Sequence, residues 1–177
     1  MKNVLLTKRL CRAGIFAALY VVLTYAFAPF AFGPLQIRPA EALCILPLFF
    51  IEAVPALWIG CMISNLSSPF LLYDVLLGSL TTLVAGLCTY AVGRVFKKDG
   101  VRLTLGGIFP VLFNALMIPL IIVFLCGDLS GKDSAWTAYF FYATCLLLTQ
   151  SVWVYGLGTP LYFLLRRQMK SMDHKNT

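Results

Sequence analysis

Glu52-Ala53-Val54-Pro55 decides the fold. It lies inside the apolar stretch from Pro39 to Ser68, which reads either as one long tilted helix or as two short helices meeting at this point. Charge separates the two readings. A single helix flips every later span and puts both basic clusters, Arg94/Lys97/Lys98/Arg102 and Arg166/Arg167/Lys170, outside. Two helices return both clusters to the side of the N-terminus and leave only Arg38 and Lys132 of the 14 basic residues outside, as the positive-inside rule favours. Two short helices are therefore expected, with Pro55 opening the second and Glu52 at a cytoplasmic turn. Each covers only about 20 Å at helical rise. A bilayer core is about 30 Å thick, so local thinning or packing against longer neighbours is implied.

Just upstream stands a charged island, Gln36-Ile37-Arg38-Pro39-Ala40-Glu41-Ala42-Leu43, between two apolar runs. Charges near hydrocarbon cost several kcal/mol unless they are paired or face an aqueous cavity, which makes the island a functional candidate. Pro39 keeps Arg38 out of the α conformation and suits the first position of a helix. Glu41 then falls in the first turn, where unpaired N–H groups and the helix dipole favour an anion. Arg38 and Glu41 are three apart, within reach of each other. Two uses are open: a self-neutralising pair that caps a helix, or a binding site at the outer membrane face in which Glu41 accepts hydrogen bonds from a ligand.

The chain has 177 residues, 60% of them hydrophobic and only 12% charged, about half the charge of a soluble domain, which carries about 25%. The expectation is an all-α integral membrane protein: one domain over residues 1–177, six transmembrane helices, both termini cytoplasmic, in the plasma membrane of a bacterium. The apolar run after the basic segment Met1–Arg12 continues to about Phe32 without a small-residue cleavage site, so it reads as a span rather than a signal peptide. The net charge of +7 comes from basic residues flanking spans, which excludes a nucleic-acid partner in favour of membrane lipid. Six scattered cysteines with no CxxC pair and a single histidine, His174, read as packing residues, not as a disulfide framework or metal site.

In the first span, expected from about Arg12 to Phe32, Ala13-x-x-x-Ala17 and Gly14-x-x-x-Ala18 set small side chains at helical spacing. Such a surface allows close approach of another helix, within the chain or on a partner subunit. Gly33-Pro34 then breaks the helix into an outer loop. After Asn65-Leu66-Ser67-Ser68-Pro69 a fourth helix is expected from Tyr73-Asp74 to about Phe96, with Gly78, Thr82 and Gly86 as its close-packing stripe. A fifth is expected from Thr104 to about Cys126. A sixth runs from Trp136 to about Leu165, interrupted at Gly156-Leu157-Gly158-Thr159-Pro160, where the missing N–H of Pro160 predicts a kink.

On this topology Arg38, Glu41, Asn65 and Asp74 fall at the outer ends of the second, third and fourth helices. Asn114 and Gln150 lie about 20 Å deeper on helices five and six. Lipid cannot hydrogen-bond such groups, so they must face one another, water or a ligand. A cup open to the outside and floored by Asn114 and Gln150 accommodates them all. Trp136, Tyr139 and Tyr142 near the outer end of helix six offer either interfacial anchors or a stacking surface for a planar ligand. No nucleophile with its base, metal-ligand cluster, phosphate loop or ATP-binding motif is present, which disfavours an enzyme and suggests a subunit of a larger machine.

The stretch Gln36–Leu43 with Leu46-Pro47-Leu48-Phe49, then Ser64-Asn65-Leu66, Ser68-Pro69, Asp74, Gly78-Ser79, Thr82, Asn114 and Gly156-x-Gly158-x-Pro160, resembles the QueT family over nearly the whole chain. These are substrate-capture subunits (S components) of energy-coupling-factor importers, and this family takes up queuosine precursors. The resemblance implies a six-helix S-component bundle and a deazapurine ligand under the first outer loop. It also implies docking of the Ala13, Gly14, Ala17 and Ala18 face of helix one on the transmembrane coupling subunit, which works with an ATPase pair. No cofactor is implied. The family pattern has a Gly-Glu pair in helix six where this chain reads Thr149-Gln150. A cationic aminomethyl-deazaguanine would use that carboxylate, so neutral Gln150 admits queuine or a nucleoside as alternatives. An S component for another vitamin, or a small membrane-embedded enzyme or assembly factor, are the competing functional expectations.

Overall fold

In the computed structural model, residues 2–33 and 35–175 are described, and they form helices and connecting loops with no strand. Helix α1 (Lys2–Ala26) is followed by the short α2 (Ala28–Ala31). It begins ten residues earlier than the apolar run suggests, since the Lys and Arg residues ahead of Arg12 are good helix formers and no breaker intervenes. Pro34 of the expected breaker lies outside the described residues.

The Pro39–Ser68 stretch is two segments. A 3₁₀ helix, Pro39–Leu48, is followed by the turn at Phe49–Glu52 and then α3 (Ala53–Asn65). Arg38 is extended, with φ −123° and ψ 92°, and Pro39 opens the helix with Glu41 in its first turn. The chain folds back on itself: Arg38 at the start of the 3₁₀ helix bonds Asn65 at the end of α3 at 3.1 Å. At the other end Glu52 pairs with Arg12 at 3.2 Å.

The 3₁₀ form has a geometric consequence. At about 2.0 Å per residue its ten residues reach about 20 Å, against about 15 Å for an α-helix. Its three-residue repeat also gives three distinct faces, and all ten residues are buried. Ala40, Leu43 and Leu46 pack with Phe16 and Tyr20 of α1 and Leu57 of α3. Ile45 and Leu48 pack with Val111, Val154 and Tyr162. Glu41, Cys44 and Pro47 make the third.

Around this central segment stand the longer helices. α4 (Leu71–Tyr73), a π segment Asp74–Gly78 and α5 (Ser79–Val95) run on as one rod. So do α6 (Asp99–Leu120) with a π segment Ile121–Leu125, and α7 (Ala135–Ser151) with a π segment Val152–Leu157 and α8 (Gly158–Lys175). The expected interruption near Pro160 is thus a widened turn inside a continuous helix, and the rod extends ten residues beyond the expected Leu165. The helix expected from Thr104 starts at Asp99. Among the described residues, four helices are long and apolar enough to cross a membrane: Val4–Ala26, Leu71–Val95, Asp99–Leu125 and Ala135–Ser171. Pro39–Leu48 and Ala53–Asn65 are apolar but shorter.

Missing side chains let the rods close on the 3₁₀ helix. A Cβ at Gly93 would lie 2.5 Å from the Leu48 carbonyl oxygen, and one at Gly106 would lie 2.6 Å from the Leu48 side chain. Backbone cannot yield cheaply at such a distance, so Gly93 is required for that approach. The six cysteines are free.

Candidate functional site

The polar residues of the island and its neighbours meet beside the start of the 3₁₀ helix. Arg38, Glu41, Asn65, Asp74, Asn114 and Gln150 line one cavity, although they come from five separate segments. All six are buried, at 2–6% exposure. Gln36, Cys61, Gly78, Thr82 and Ile118 complete the wall.

Arg38 and Glu41 do not pair directly. The Arg38 guanidinium donates from Nε to the Ala31 carbonyl at 2.8 Å and from Nη1 to Asn65 Oδ1 at 3.1 Å, and lies 4.9 Å over the Phe32 ring. Asn65 passes the link on, donating through Nδ2 to the Asp74 backbone carbonyl at 2.8 Å. Its amide has one acceptor, facing a donor-only guanidinium, and its NH₂ faces a carbonyl, so one orientation alone satisfies both. The arginine therefore ties the loop after α2 to α3 and to the π segment that Asp74 opens.

Glu41 is held by donors from three directions. Tyr20 donates its hydroxyl to Oε1 at 2.7 Å, while Oε2 accepts from the Cys44 thiol at 3.3 Å and from Asn114 Nδ2 at 3.2 Å. Tyr20 and Cys44 were not singled out from the sequence. A tyrosine in the middle of an apolar helix was the available signal, because its hydroxyl needs a partner where lipid supplies none.

Asp74 and Gln150 differ from the others. Ser68 donates its hydroxyl to Asp74 Oδ2, but Asp74 Oδ1 and Gln150 Oε1 are buried with no hydrogen-bond partner. Buried acceptors left open are uncommon and call for an occupant. Both sit at widened turns, Asp74 as the first residue of one π segment and Gln150 two residues before another; such turns recur at functional sites. One guanidinium faces two carboxylates here, so the cavity is electronegative when all three are ionised.

The cavity is closed. Its free volume is only about 10 Å³, space for about one water molecule. The wall on the loop side is a strapped turn: Ile37 donates its N–H to the Phe30 carbonyl at 3.0 Å, and Gln36 to that of Gly33 at 3.0 Å. Gln36 has φ +40°, the left-handed region that a non-glycine residue enters at a cost of about 1–2 kcal/mol. Backbone bonds on either side hold this left-handed turn in place at the cavity wall.

Trp136 and Tyr139 do not reach this cavity. Trp136 is 62% exposed and packs edge-on against Phe124 and Tyr139, and Tyr139 donates its hydroxyl to the Leu116 carbonyl at 3.3 Å. Tyr142 donates to Asp128 at 2.8 Å, tying α7 to the loop before it. The small residues of α1 divide. Ala13 and Ala17 face inward against the core cluster, and a Cβ at Gly60 of α3 would come 3.1 Å from the Ala17 carbonyl. Gly14 and Ala18 are exposed, and a Cβ at Gly14 would meet nothing within 4 Å.

A curated relative, the queuosine precursor transporter QueT of Lactococcus lactis subsp. cremoris (strain MG1363), is 44% identical over 87 residues, covering 48% of this chain and 51% of the relative. The match thus spans about half the length of that relative. No solved structure matches. The family model described as QueT transporter matches residues 10–167, a range that contains every residue lining the polar cavity. With its long apolar helices the protein is a multi-pass protein of the bacterial plasma membrane, and it belongs to the QueT transporter family.

Proposed function

We propose that the chain is the substrate-capturing S component of an energy-coupling-factor importer and that its polar cavity, which has to widen from this closed form, holds a queuosine precursor. Family membership supports transport, and the Lactococcus relative, a queuosine precursor transporter, supports the substrate class. The observation that carries the site is the pair of buried, unpartnered acceptors, Asp74 Oδ1 and Gln150 Oε1, in an enclosure shared with Glu41. Acceptors of this kind select a ligand rich in N–H donors, which a deazaguanine edge provides. Asp74 supplies the charge that neutral Gln150 lacks, so a protonated aminomethyl group has a carboxylate to meet. That favours a deazaguanine bearing a cationic aminomethyl nitrogen over one without it.

The whole chain acts as one membrane domain with six crossings, the two short segments included, and with both termini in the cytoplasm. The Phe49–Glu52 turn shares an end of the bundle with Arg12, Arg102 and Arg166, which the positive-inside rule places on the cytoplasmic side. The cavity then opens outward, and Gly14 and Ala18 on the exposed face of α1 offer the close approach for the coupling subunit and its ATPase pair. Equilibrium binding of labelled aminomethyl-deazaguanine to the purified protein, with queuine and unrelated vitamins as competitors, tests the proposal. Saturable binding displaced by deazaguanines alone is expected; binding of an unrelated vitamin in their place would overturn it.

A further inference from the structure

At the opposite end of the bundle, beneath the last turn of the 3₁₀ helix, lies a second cavity of about 740 Å³ bounded by α1, α5, α6 and α8. Seven basic side chains line it against a single carboxylate, Glu52. Three of them are engaged: Arg12 with Glu52, Arg166 with Asp99, and Arg102, which donates to the Leu48 carbonyl at 2.6 Å. Lys8, Arg9, Arg94 and Lys170 have no ion pair or hydrogen bond among the described residues. The Arg102 Nε is buried in the wall with no acceptor. Topology alone calls for basic residues near a cytoplasmic boundary, but it does not call for them to converge on one open cavity.

Lys8 and Arg12 also border a largely apolar strip along α1 formed by Val4, Cys11 and Ile15. Basic cavity and apolar strip are therefore continuous through two shared cations, the layout that an amphiphile with an anionic head requires. We propose that this cavity binds the phosphodiester headgroup of an anionic phospholipid, with an acyl chain lying along the Val4–Ile15 face of α1. Headgroup phosphate meets Lys8, Arg9, Arg94 and Lys170, and basic pockets between membrane helices hold such headgroups by the same electrostatics. The apolar strip favours a lipid over an acidic protein segment, which would have no use for it.

The test uses delipidated full-length protein in neutral detergent, titrated with fluorescent phosphatidylglycerol and with phosphatidylcholine of the same chains. Phosphatidylglycerol is expected to bind at least tenfold more tightly. The double variant Arg94→Gln/Lys170→Gln should weaken it by about thirtyfold. Lys97→Gln/Lys98→Gln removes the same charge from exposed residues outside the cavity and should change it less than threefold. Equal losses in the two doubles would overturn the site in favour of general surface charge. Equal affinity for the two lipids would overturn it as well. Displacement by glycerol phosphate or inorganic phosphate at concentrations comparable with the lipid would assign the cavity to a soluble anion, and displacement by a polyglutamate peptide would assign it to an acidic protein; either result overturns the lipid.

Discussion

The two cavities at the ends of the 3₁₀ helix are built on opposite lines. Around Glu41 nearly every polar atom has a protein partner and there is room for about one water molecule; around Arg102 there are some 740 Å³ and four basic side chains without an acidic partner among the described residues. A tight, hydrogen-bonded enclosure discriminates by which few atoms it leaves open, since an unmatched ligand group strands a buried partner. A wide basic one selects charge and tolerates shape. The short segment that separates them, packed on all three faces, keeps the two ends apart in one small chain.

Removing the hub of the enclosure should have the largest effect. Glu41→Gln replaces one acceptor oxygen with an NH₂ group that faces donors from Tyr20, Cys44 or Asn114. Truncating a desolvated charge partner costs about 2–5 kcal/mol, so ligand affinity should fall by about 30-fold to several thousandfold. Equilibrium binding to the folded variant measures this, and affinity within threefold of the parent would reduce Glu41 to a helix-capping residue.

Next comes Asp74→Asn, which leaves the volume unchanged but removes the unpaired negative charge. Affinity for an aminomethyl-deazaguanine should fall by about 10- to 150-fold, the worth of a hydrogen bond to a charged group. Affinity for a neutral deazaguanine should fall far less, and competition binding separates the two.

The division of the α1 stripe predicts a smaller, reciprocal pair. Ala17→Trp overpacks the α1–α3 contact and should lower stability by about 1–3 kcal/mol. Gly14→Trp, on the exposed face, should change it by less than about 0.5 kcal/mol, yet stop uptake in cells while leaving binding intact. Thermal denaturation and an uptake assay on the same two variants check both halves. A Gly14→Trp protein that imports normally would remove this face from subunit docking.

Smallest of all, Arg38→Lys should weaken binding only severalfold. Lysine keeps the charge and one bond but cannot reach the Ala31 carbonyl and Asn65 together as the guanidinium fork does. A loss larger than that of Glu41→Gln would move the centre of the site to Arg38.

What the sequence disclosed and what it hid follow physical lines. The break at Glu52–Pro55 was legible because charge has to be apportioned between two sides of a membrane. Arg38, Glu41, Asn65, Asp74, Asn114 and Gln150 could be grouped because polar groups in apolar helices must find each other. Trp136 and Tyr139 could not be placed, since an aromatic ring at the boundary is satisfied by lipid headgroups as well as by a ligand. Spacing of small residues shows that a helix can be approached closely, not from which side, so Ala17 and Gly14 looked alike. The 3₁₀ form of Pro39–Leu48 left no trace either, because the same residues tolerate i→i+3 and i→i+4 bonding, and the choice is made by the packing of three faces against the five helical rods around it.

The most direct measurement is a paired titration of the purified protein with aminomethyl-deazaguanine and with the methyl analogue that lacks the amine, repeated on Asp74→Asn. The expected result is a preference for the amine of about tenfold or more in the parent protein, collapsing to within threefold in the variant while the methyl analogue binds both alike. A preference that survives Asp74→Asn, or a ligand that binds neither protein, would contradict a cationic precursor held against Asp74 in the closed cavity.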